Sequence, residues 1–227
     1  GFSDAAMLLG VVMIWVRSGT LAMSQLSVST ADPLGAVSFV LLFVGAIAKA
    51  GAMPFHSWVP EMAKSTPASI MAYLPAALDK LLGIYLLARI SLDMFQIQAG
   101  SWLSLMMMIV GAVTILFAVL MALVQHNLKK LLSFHAVSQV GYMVLGVGSG
   151  IPVAIVGGLF HMLNNAIYKS LLFFGAGAVE KRTGTGELGE LGGLAKLMPV
   201  TFFSMAIAAF SISRIPPFNG FASKWLI

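Results

Sequence analysis

The sequence predicts an all-α transmembrane helix bundle of about seven spans, two of them broken, and three observations lead to this prediction. Of the 227 residues, 59% are hydrophobic and 9% are charged, whereas soluble domains carry roughly 25% charged residues. Apolar stretches of about 20 residues, the length that crosses a bilayer as a helix, recur along the chain. Between them lie short segments rich in Ser, Gly, Pro and Asp, which form turns.

The expected spans follow one another from the N-terminus. They cover residues 5–26, 34–59, 67–92, 103–124, 131–149, 152–179 and 197–227. Several are longer than a bilayer requires, so we expect them to be tilted or broken. Residues 1–227 would form a single membrane domain. Because the chain lacks an initiator Met and stops inside an apolar run, we expect it to be part of a longer protein.

Composition excludes several classes of site. Without cysteine, the chain can hold no disulfide, thiolate metal site or iron–sulfur cluster. The thirteen Lys and Arg against eight Asp and Glu give a formal charge of +5, but the basic residues are scattered, so no nucleic-acid partner is expected. Residues 184–189 match the pattern GxGxxG, but no strand precedes them, which argues against a nucleotide site. The four His lack ligand spacing, so we expect no metal and no cofactor in this chain.

The basic residues of the connections predict the orientation in the membrane. Connections after the second, fourth and sixth spans carry Lys or Arg, whereas those after the first and fifth carry none. The positive-inside rule therefore places the basic connections in the cytoplasm. The residues concerned are Lys64, Lys129, Lys130, Lys181, Arg182 and Lys196.

Ionisable residues within the apolar stretches are the candidates for function. Each costs about 2.5–3.5 kcal/mol at the bilayer centre on insertion scales, so each needs a reason to be there. For Arg214, snorkelling at the end of a span explains the charge equally well. The candidates are Lys49, Asp79, Lys80, His161, Lys169, Arg214 and Lys224.

Spacing along the helices makes two further predictions. Asp79 and Lys80 are adjacent, so on a helix their side chains point about 100° apart, and each should find its partner on another helix. His161, Asn165 and Lys169 are spaced four residues apart and form one polar stripe. The stripe is consistent with a proton relay and with a hydrogen-bonded packing seam, and the sequence leaves both open.

Backbone breakers interrupt two of the spans, each close to a lysine. Lys49 precedes Pro54 and Pro60 in the second span, and these prolines should break it. In the last span, the breaking residues Pro216, Pro217 and Gly220 precede Lys224. Broken helices at membrane depth survive only where protein or water satisfies the backbone. Paired broken helices are typical of ion sites in transporters with internal repeats.

The stretch around Lys49 resembles a known family. Residues 48–61 read AKAGAMPFHSWVPE and match the K-x-x-x-x-P-x-H-x-W-x-P-[DE] pattern of antiporter-like subunits. Such subunits occur in respiratory complex I, membrane-bound hydrogenases and Mrp-type cation/proton antiporters. The resemblance continues in order through residues 66–69, 127–132, 138–143, 160–161, 169–173 and 216–224.

The resemblance implies a place and a role for the charged residues. The chain corresponds to roughly the sixth to twelfth helices of a fourteen-helix subunit. Lys49 and Lys224 match the lysines of the two broken helices, and Lys80 matches the lysine of the helix after the first one. Lys129 and His161 match the central hydrophilic axis, with Lys129 and Lys169 as supporting or gating groups. A glutamate partner for Lys49 would lie upstream, and Asp79 and Asn165 depart from the common pattern.

The predicted function is that of a proton- or cation-translocating subunit of a redox-driven complex. Lys49, Lys80, Asp79, His161, Lys224, Lys129 and Lys169 would carry or support the ion path, and partner subunits would hold the redox centres. The protein would be multi-pass in the prokaryotic cell membrane, in contact with lipid, other membrane subunits, and protons or Na⁺. Two alternatives remain: an Mrp-type Na⁺/H⁺ antiporter subunit, and a structural membrane subunit that does not conduct.

Overall fold

The protein, described here by a computed structural model of residues 1–227, is built from helices and contains no β-strand. The predicted all-α class is therefore confirmed. Short 3₁₀ turns lie at Met23–Gln25 and Leu188–Glu190. The helices are α1 (Phe2–Ser18), α2 (Pro33–Ala50), α3 (Trp58–Met62), α4 (Ala68–Met94), α5 (Trp102–Leu123), α6 (Leu128–Gly148), α7 (Pro152–Thr183), α8 (Leu194–Leu197), α9 (Pro199–Ile212) and α10 (Asn219–Leu226).

Four of these helices, α2, α4, α5 and α6, are long and apolar enough to cross a membrane. Of the others, α1 has 17 residues, and α9 is an apolar helix of 14 residues. α7 is 32 residues long and turns polar side chains toward the protein interior. Each of the seven apolar stretches holds one helix or, at the two breaks, two helices. The transmembrane bundle predicted from hydropathy is confirmed in this sense.

Two apolar clusters hold the bundle together. The larger one joins α1, α2, α4, α5 and α6 around side chains with no exposed surface, including Phe39, Ile84 and Met107. The smaller one joins α4, α7 and α9 around Met71 and Phe173. Burial of a side chain of this size contributes about 1.5–3 kcal/mol when it leaves water.

The first break separates α2 from α3, as the prolines predict. α2 ends at Ala50, and Gly51 adopts φ 79°, the left-handed conformation that glycine accepts without strain. The segment through Pro54 is tied to its surroundings by two bonds. The indole of Trp58 donates to the carbonyl of Ala48 over 3.2 Å, and the Met53 amide donates to the Thr114 hydroxyl over 3.2 Å.

The second break separates α9 from α10. α9 ends at Ile212, and α10 begins at Asn219 after Pro216 and Pro217. Gly220 makes the closest approach between the two halves: a Cβ there would lie 1.9 Å from the carbonyl oxygen of Ser211. Only glycine fits such a contact.

α4 contains two π-helical segments that sequence periodicity does not predict. In Leu74–Leu78 and Arg89–Met94, backbone hydrogen bonds join residues that are five positions apart. α-helical turns lie on either side of the first segment. Pro75 lies in the first segment and lacks the amide proton that an α-helical turn would use. π-turns are rare and often occur at functional sites. The first one here directly precedes Asp79 and Lys80.

Candidate ion-conducting site

The interior of the bundle holds a set of polar and ionisable side chains that are cut off from solvent. Lys80 is 1% exposed, and His161, Asn165 and Lys169 are 0% exposed. Buried polar groups of this kind are costly unless they are hydrogen-bonded. Their partners therefore indicate what the fold does with them.

Asp79 finds its partner on another helix, as expected. Its carboxylate lies 2.5 Å from the ammonium group of Lys49, which joins α4 to the end of α2. Within residues 1–227, 51% of the Lys49 side chain is exposed, against 11% for Asp79. The ion pair forms one wall of an open cavity of about 500 Å³ that Asp4 also lines.

Lys80 does not find a partner on another helix, so this prediction is wrong. Its ammonium group donates to the carbonyl of Pro75, five residues earlier in α4. The wider π-turn brings a carbonyl of the same helix within reach of the Lys80 side chain. An ammonium group needs acceptors wherever it is buried. Here the backbone of its own helix supplies one.

His161 lies at the centre of a small hydrogen-bonded cluster that spans three helices. Its Nε2 atom lies 3.1 Å from the amide oxygen of Gln139 on α6, and its Nδ1 atom lies 3.0 Å from the hydroxyl of Ser223 on α10. The hydroxyl of Tyr168 lies 3.3 Å from the same Nε2 atom. Because a neutral imidazole has one donor and one acceptor nitrogen, these contacts satisfy both. This arrangement can pass a proton through the ring.

The rest of the α7 stripe contacts backbone carbonyls of neighbouring helices. The amide of Asn165 donates to the carbonyl of Ala76 over 3.3 Å, next to the π-turn of α4. The ammonium group of Lys169 donates to the carbonyl of Leu132 on α6 over 3.2 Å. The amide oxygen of Asn165 is buried without a partner. A buried acceptor of this kind marks a place where a water molecule or a proton donor is stabilised.

Lys129 lies at one end of the bundle and is paired. Its ammonium group is 3.0 Å from a carboxylate oxygen of Glu180 on α7, and only 10% of its side chain is exposed. It lines a polar cavity of about 620 Å³ together with Lys64, Lys130 and Glu187. The resemblance assigns Lys129 to the central hydrophilic axis; here its side chain lines a polar cavity beside the basic connections.

Lys224 follows the second break and has no carboxylate partner. Its ammonium group donates to the carbonyl of Ile212 over 2.8 Å, one of the four carbonyls that a helix end leaves free. The same group lies 4.8 Å from the ring centroid of Tyr142 on α6. Arg214 lies at the break itself, between α9 and α10, and its side chain is exposed.

The structure brings together only part of the predicted path. No hydrogen bond joins the Lys49–Asp79 pair to Lys80, or Lys169 to Lys224, so the ionisable groups form separate positions along the bundle. Sequence reasoning missed five participants in these contacts: Gln139, Tyr142, Tyr168, Ser223 and Glu180. Gln139 and Ser223 belong to segments that carry the family resemblance, and this resemblance is the sequence feature that could have identified them. No group of three or more His, Asp or Glu side chains is placed to hold a metal ion.

A bundle of apolar helices with charged side chains in its interior defines a polytopic membrane protein. The whole chain, residues 1–227, matches the family described as NADH:quinone oxidoreductase/Mrp antiporter, TM, and the protein therefore belongs to this family. The resemblance seen in the sequence is thereby confirmed.

Similar proteins include subunits of both redox complexes and antiporters. Formate hydrogenlyase subunit 3 of Escherichia coli is 34% identical over 227 residues, which are 95% of this chain and 37% of that protein. A Na(+)/H(+) antiporter subunit of Alkalihalophilus pseudofirmus is 35% identical over 231 residues, 100% of this chain and 46% of that protein. The Mrp complex from Dietzia sp. DQ12-45-1b contains a chain that superposes with a TM-score of 0.92 at 32% identity, covering 99% of this chain and 42% of that one.

The chain spans less than half the length of each of these proteins. Their names place them in multisubunit membrane assemblies, and this supports the expectation that other membrane subunits are partners.

Proposed function

We propose that this chain conducts protons or small cations across the cell membrane, as part of a subunit of a redox-driven membrane complex. The observation that carries the proposal is the set of ionisable side chains buried in the bundle interior. Lys80 on α4 and His161 and Lys169 on α7 are at most 1% exposed, and none of them has a carboxylate partner. A protein does not bury unpaired ionisable groups in a membrane domain for stability.

Each group is placed so that it can exchange a proton. The three lysines Lys80, Lys169 and Lys224 donate to backbone carbonyls, which accept hydrogen bonds but do not hold a charge. A lysine bound in this way can release a proton without breaking an ion pair. His161 has contacts at both ring nitrogens and can take a proton on one while giving it up from the other.

Coupling between the positions is electrostatic. Two unit charges 4 Å apart interact by about 4 kcal/mol at an effective dielectric constant of 20, and the energy falls inversely with distance. A change of charge at one lysine therefore alters the proton affinity of the next one even where no hydrogen bond joins them. Charge changes produced by electron transfer in partner subunits would enter the path in this way.

A second candidate is a subunit of an Mrp-type Na⁺/H⁺ antiporter. The superposition on a chain of an Mrp complex favours it, as does the similarity to the antiporter subunit of Alkalihalophilus pseudofirmus. The two candidates share the ion path and differ in what drives it. Electron transfer drives the first, and an imposed ion gradient drives the second.

Ion uptake by sealed membrane vesicles containing the intact complex tests the proposal. NADH, reduced ferredoxin and hydrogen are supplied in turn, and proton uptake is followed with a pH-sensitive dye beside ²²Na⁺ uptake. We expect Lys169→Met to reduce ion uptake at least tenfold while electron transfer continues, because the substitution removes the exchangeable proton and keeps the side-chain length. Lys196→Met, the same change at an exposed lysine, is the matched control.

Three other results would lead to different conclusions. Uptake that needs an imposed Na⁺ gradient and no electron donor identifies the antiporter. Uptake that Lys169→Met leaves unchanged argues against this path. If Lys80→Met and Lys224→Met also leave uptake unchanged, the chain is a structural subunit that does not conduct.

A further inference from the structure

Arg214 has a backbone conformation that arginine rarely adopts. Its φ angle is 63°, in the left-handed region, where most side chains are strained and glycine is not. Of the 227 residues, only Gln96 and Arg214 combine a positive φ with a side chain. Strain of this kind at a functional break suggests that the side chain is needed there.

The strained backbone directs the Arg214 guanidinium onto Tyr142. One guanidinium nitrogen, Nη2, donates to the Tyr142 hydroxyl over 3.0 Å, and Cζ lies 5.2 Å from the ring centroid. The ammonium group of Lys224 lies 4.8 Å from the same centroid. The side chains of Arg214 and Lys224 thus both face the ring of Tyr142, so two positive charges lie together at the second break.

No carboxylate within residues 1–227 balances them. Neither Arg214 nor Lys224 forms an ion pair, and the sequence has no Asp or Glu in residues 94–179 or 191–227. These two ranges include all of α5, α6, α9 and α10 and most of α7. The other titratable groups close to Lys224 are His161 and Lys169 on α7 and His135 on α6. Among the residues of this chain, the second break is therefore a region of positive charge without a carboxylate.

Such a region is unsuitable for a free metal cation. Hard cations bind where carboxylate and carbonyl oxygens can replace their water, and fixed positive charge in a pore repels cations. A proton can pass the same point without a cation resting there, because Lys224 Nζ gives up one proton and then accepts another. Arginine keeps its own charge throughout, since it does not lose its proton in proteins.

We propose that Arg214 is a specificity-determining residue, which excludes Na⁺ from the second break and restricts conduction there to protons. The inference rests on the proposed function and names the ion that passes this part of the path. Lys224 Nζ and Arg214 Cζ lie 4.8 Å and 5.2 Å from the ring centroid, so a Na⁺ ion beside Lys224 would be on the order of 10 Å from the guanidinium. Repulsion over that distance lowers Na⁺ occupancy about tenfold at an effective dielectric constant near 20.

The test measures how Na⁺ affects proton uptake by vesicles containing the intact complex. The variants are Arg214→Gly, which removes the charge and suits the φ angle of 63°, and Arg214→Lys, which keeps the charge. The control is Arg182→Gln, which removes an exposed arginine at the end of α7. We expect the Na⁺ concentration that halves proton uptake to fall about tenfold in Arg214→Gly, and to stay near the wild-type value in Arg214→Lys and Arg182→Gln.

An unchanged Na⁺ sensitivity in Arg214→Gly overturns the inference and leaves the proposed function standing. Loss of proton uptake by Arg214→Gly in Na⁺-free medium also overturns it, because Arg214 would then be needed for conduction itself. A wild-type complex that takes up neither protons nor Na⁺ under any driving force overturns the proposed function, and the inference with it.

Discussion

Each of the two broken helices carries a lysine near its break, but the two lysines lie in opposite electrostatic surroundings. At the first break, Lys49 pairs with Asp79 beside an open cavity that a second carboxylate, Asp4, also lines. At the second break, Lys224 faces the ring of Tyr142 in the company of Arg214 and no carboxylate. A lysine beside a proline break therefore does not define its own chemistry. Residues from other helices determine whether the charge is balanced.

The two breaks also end their helices with different residues in similar conformations. Gly51 has φ 79° at the end of α2, and Arg214 has φ 63° just after the end of α9. Glycine terminates a helix in this way at no steric cost, and arginine does not. The first break thus has glycine in the left-handed conformation, whereas the second break has the charged residue arginine in that conformation.

The largest effect on stability should come from a substitution that overfills the tight contact at the second break. Gly220→Ala would put a methyl group 1.9 Å from the carbonyl oxygen of Ser211, a backbone atom that cannot move alone. We expect a loss of about 3 kcal/mol or more in the free energy of unfolding. Thermal unfolding of the purified complex in detergent would measure it. Gly189→Ala is the control, because a Cβ at Gly189 meets nothing within 4 Å. If the two variants have equal Tm values, the contact between Gly220 and Ser211 is not as tight as described.

Separating the ion pair at the first break should have the next largest effect. Lys49→Met leaves the mostly buried carboxylate of Asp79 without its partner, and Asp79→Asn leaves the ammonium group without an anion. A double-mutant cycle should give a coupling energy of about 1–3 kcal/mol in thermal unfolding. Effects that simply add would show that the pair contributes nothing. The same cycle on Lys64 and Glu61, an exposed pair, should give less than about 1 kcal/mol.

A smaller loss of stability is expected from a substitution that removes the side-chain hydrogen bonds between the second break and α7. The side-chain amides of Asn164 and Asn219 bond to each other over 2.9 Å, and Asn164 also donates to the Asn219 carbonyl. Asn219→Ala should therefore cost about 1–2 kcal/mol of stability and loosen the approach of Lys224 to Tyr142. Hydrogen exchange of α10 would detect the loosening. Exchange that stays at the wild-type rate would show that the glycine contact alone holds the break.

The smallest effect is expected from removing the Tyr142 hydroxyl. Tyr142→Phe keeps the ring that both cations face and loses only the bond from Arg214, worth about 0.5–1.5 kcal/mol. Na⁺ sensitivity of proton uptake should then lie between wild type and Arg214→Gly. A value equal to that of Arg214→Gly would show that the hydroxyl, rather than the ring, holds the guanidinium in place.

Much of the candidate site could be found in the sequence because rare residues in apolar runs are conspicuous. The breaks at Pro54 and at Pro216 and Pro217, and the buried positions of Lys80, His161 and Lys169, were all predictable from hydropathy and breaker residues. The partner of Lys80 was not, since it depends on a π-turn that the periodicity of the sequence does not reveal.

The sequence by itself determined the class of protein, the helices, the two breaks and the placement of charge along the chain. Helix formation and membrane insertion depend on hydrophobicity summed over about 20 consecutive residues, which is local information. Only the tertiary structure decided that Asp79 meets Lys49, that His161 lies between Gln139 and Ser223, and that Arg214 shares a tyrosine ring with Lys224. Such contacts depend on how each helix is rotated and where it crosses its neighbours, and those angles are set by packing among side chains far apart in sequence.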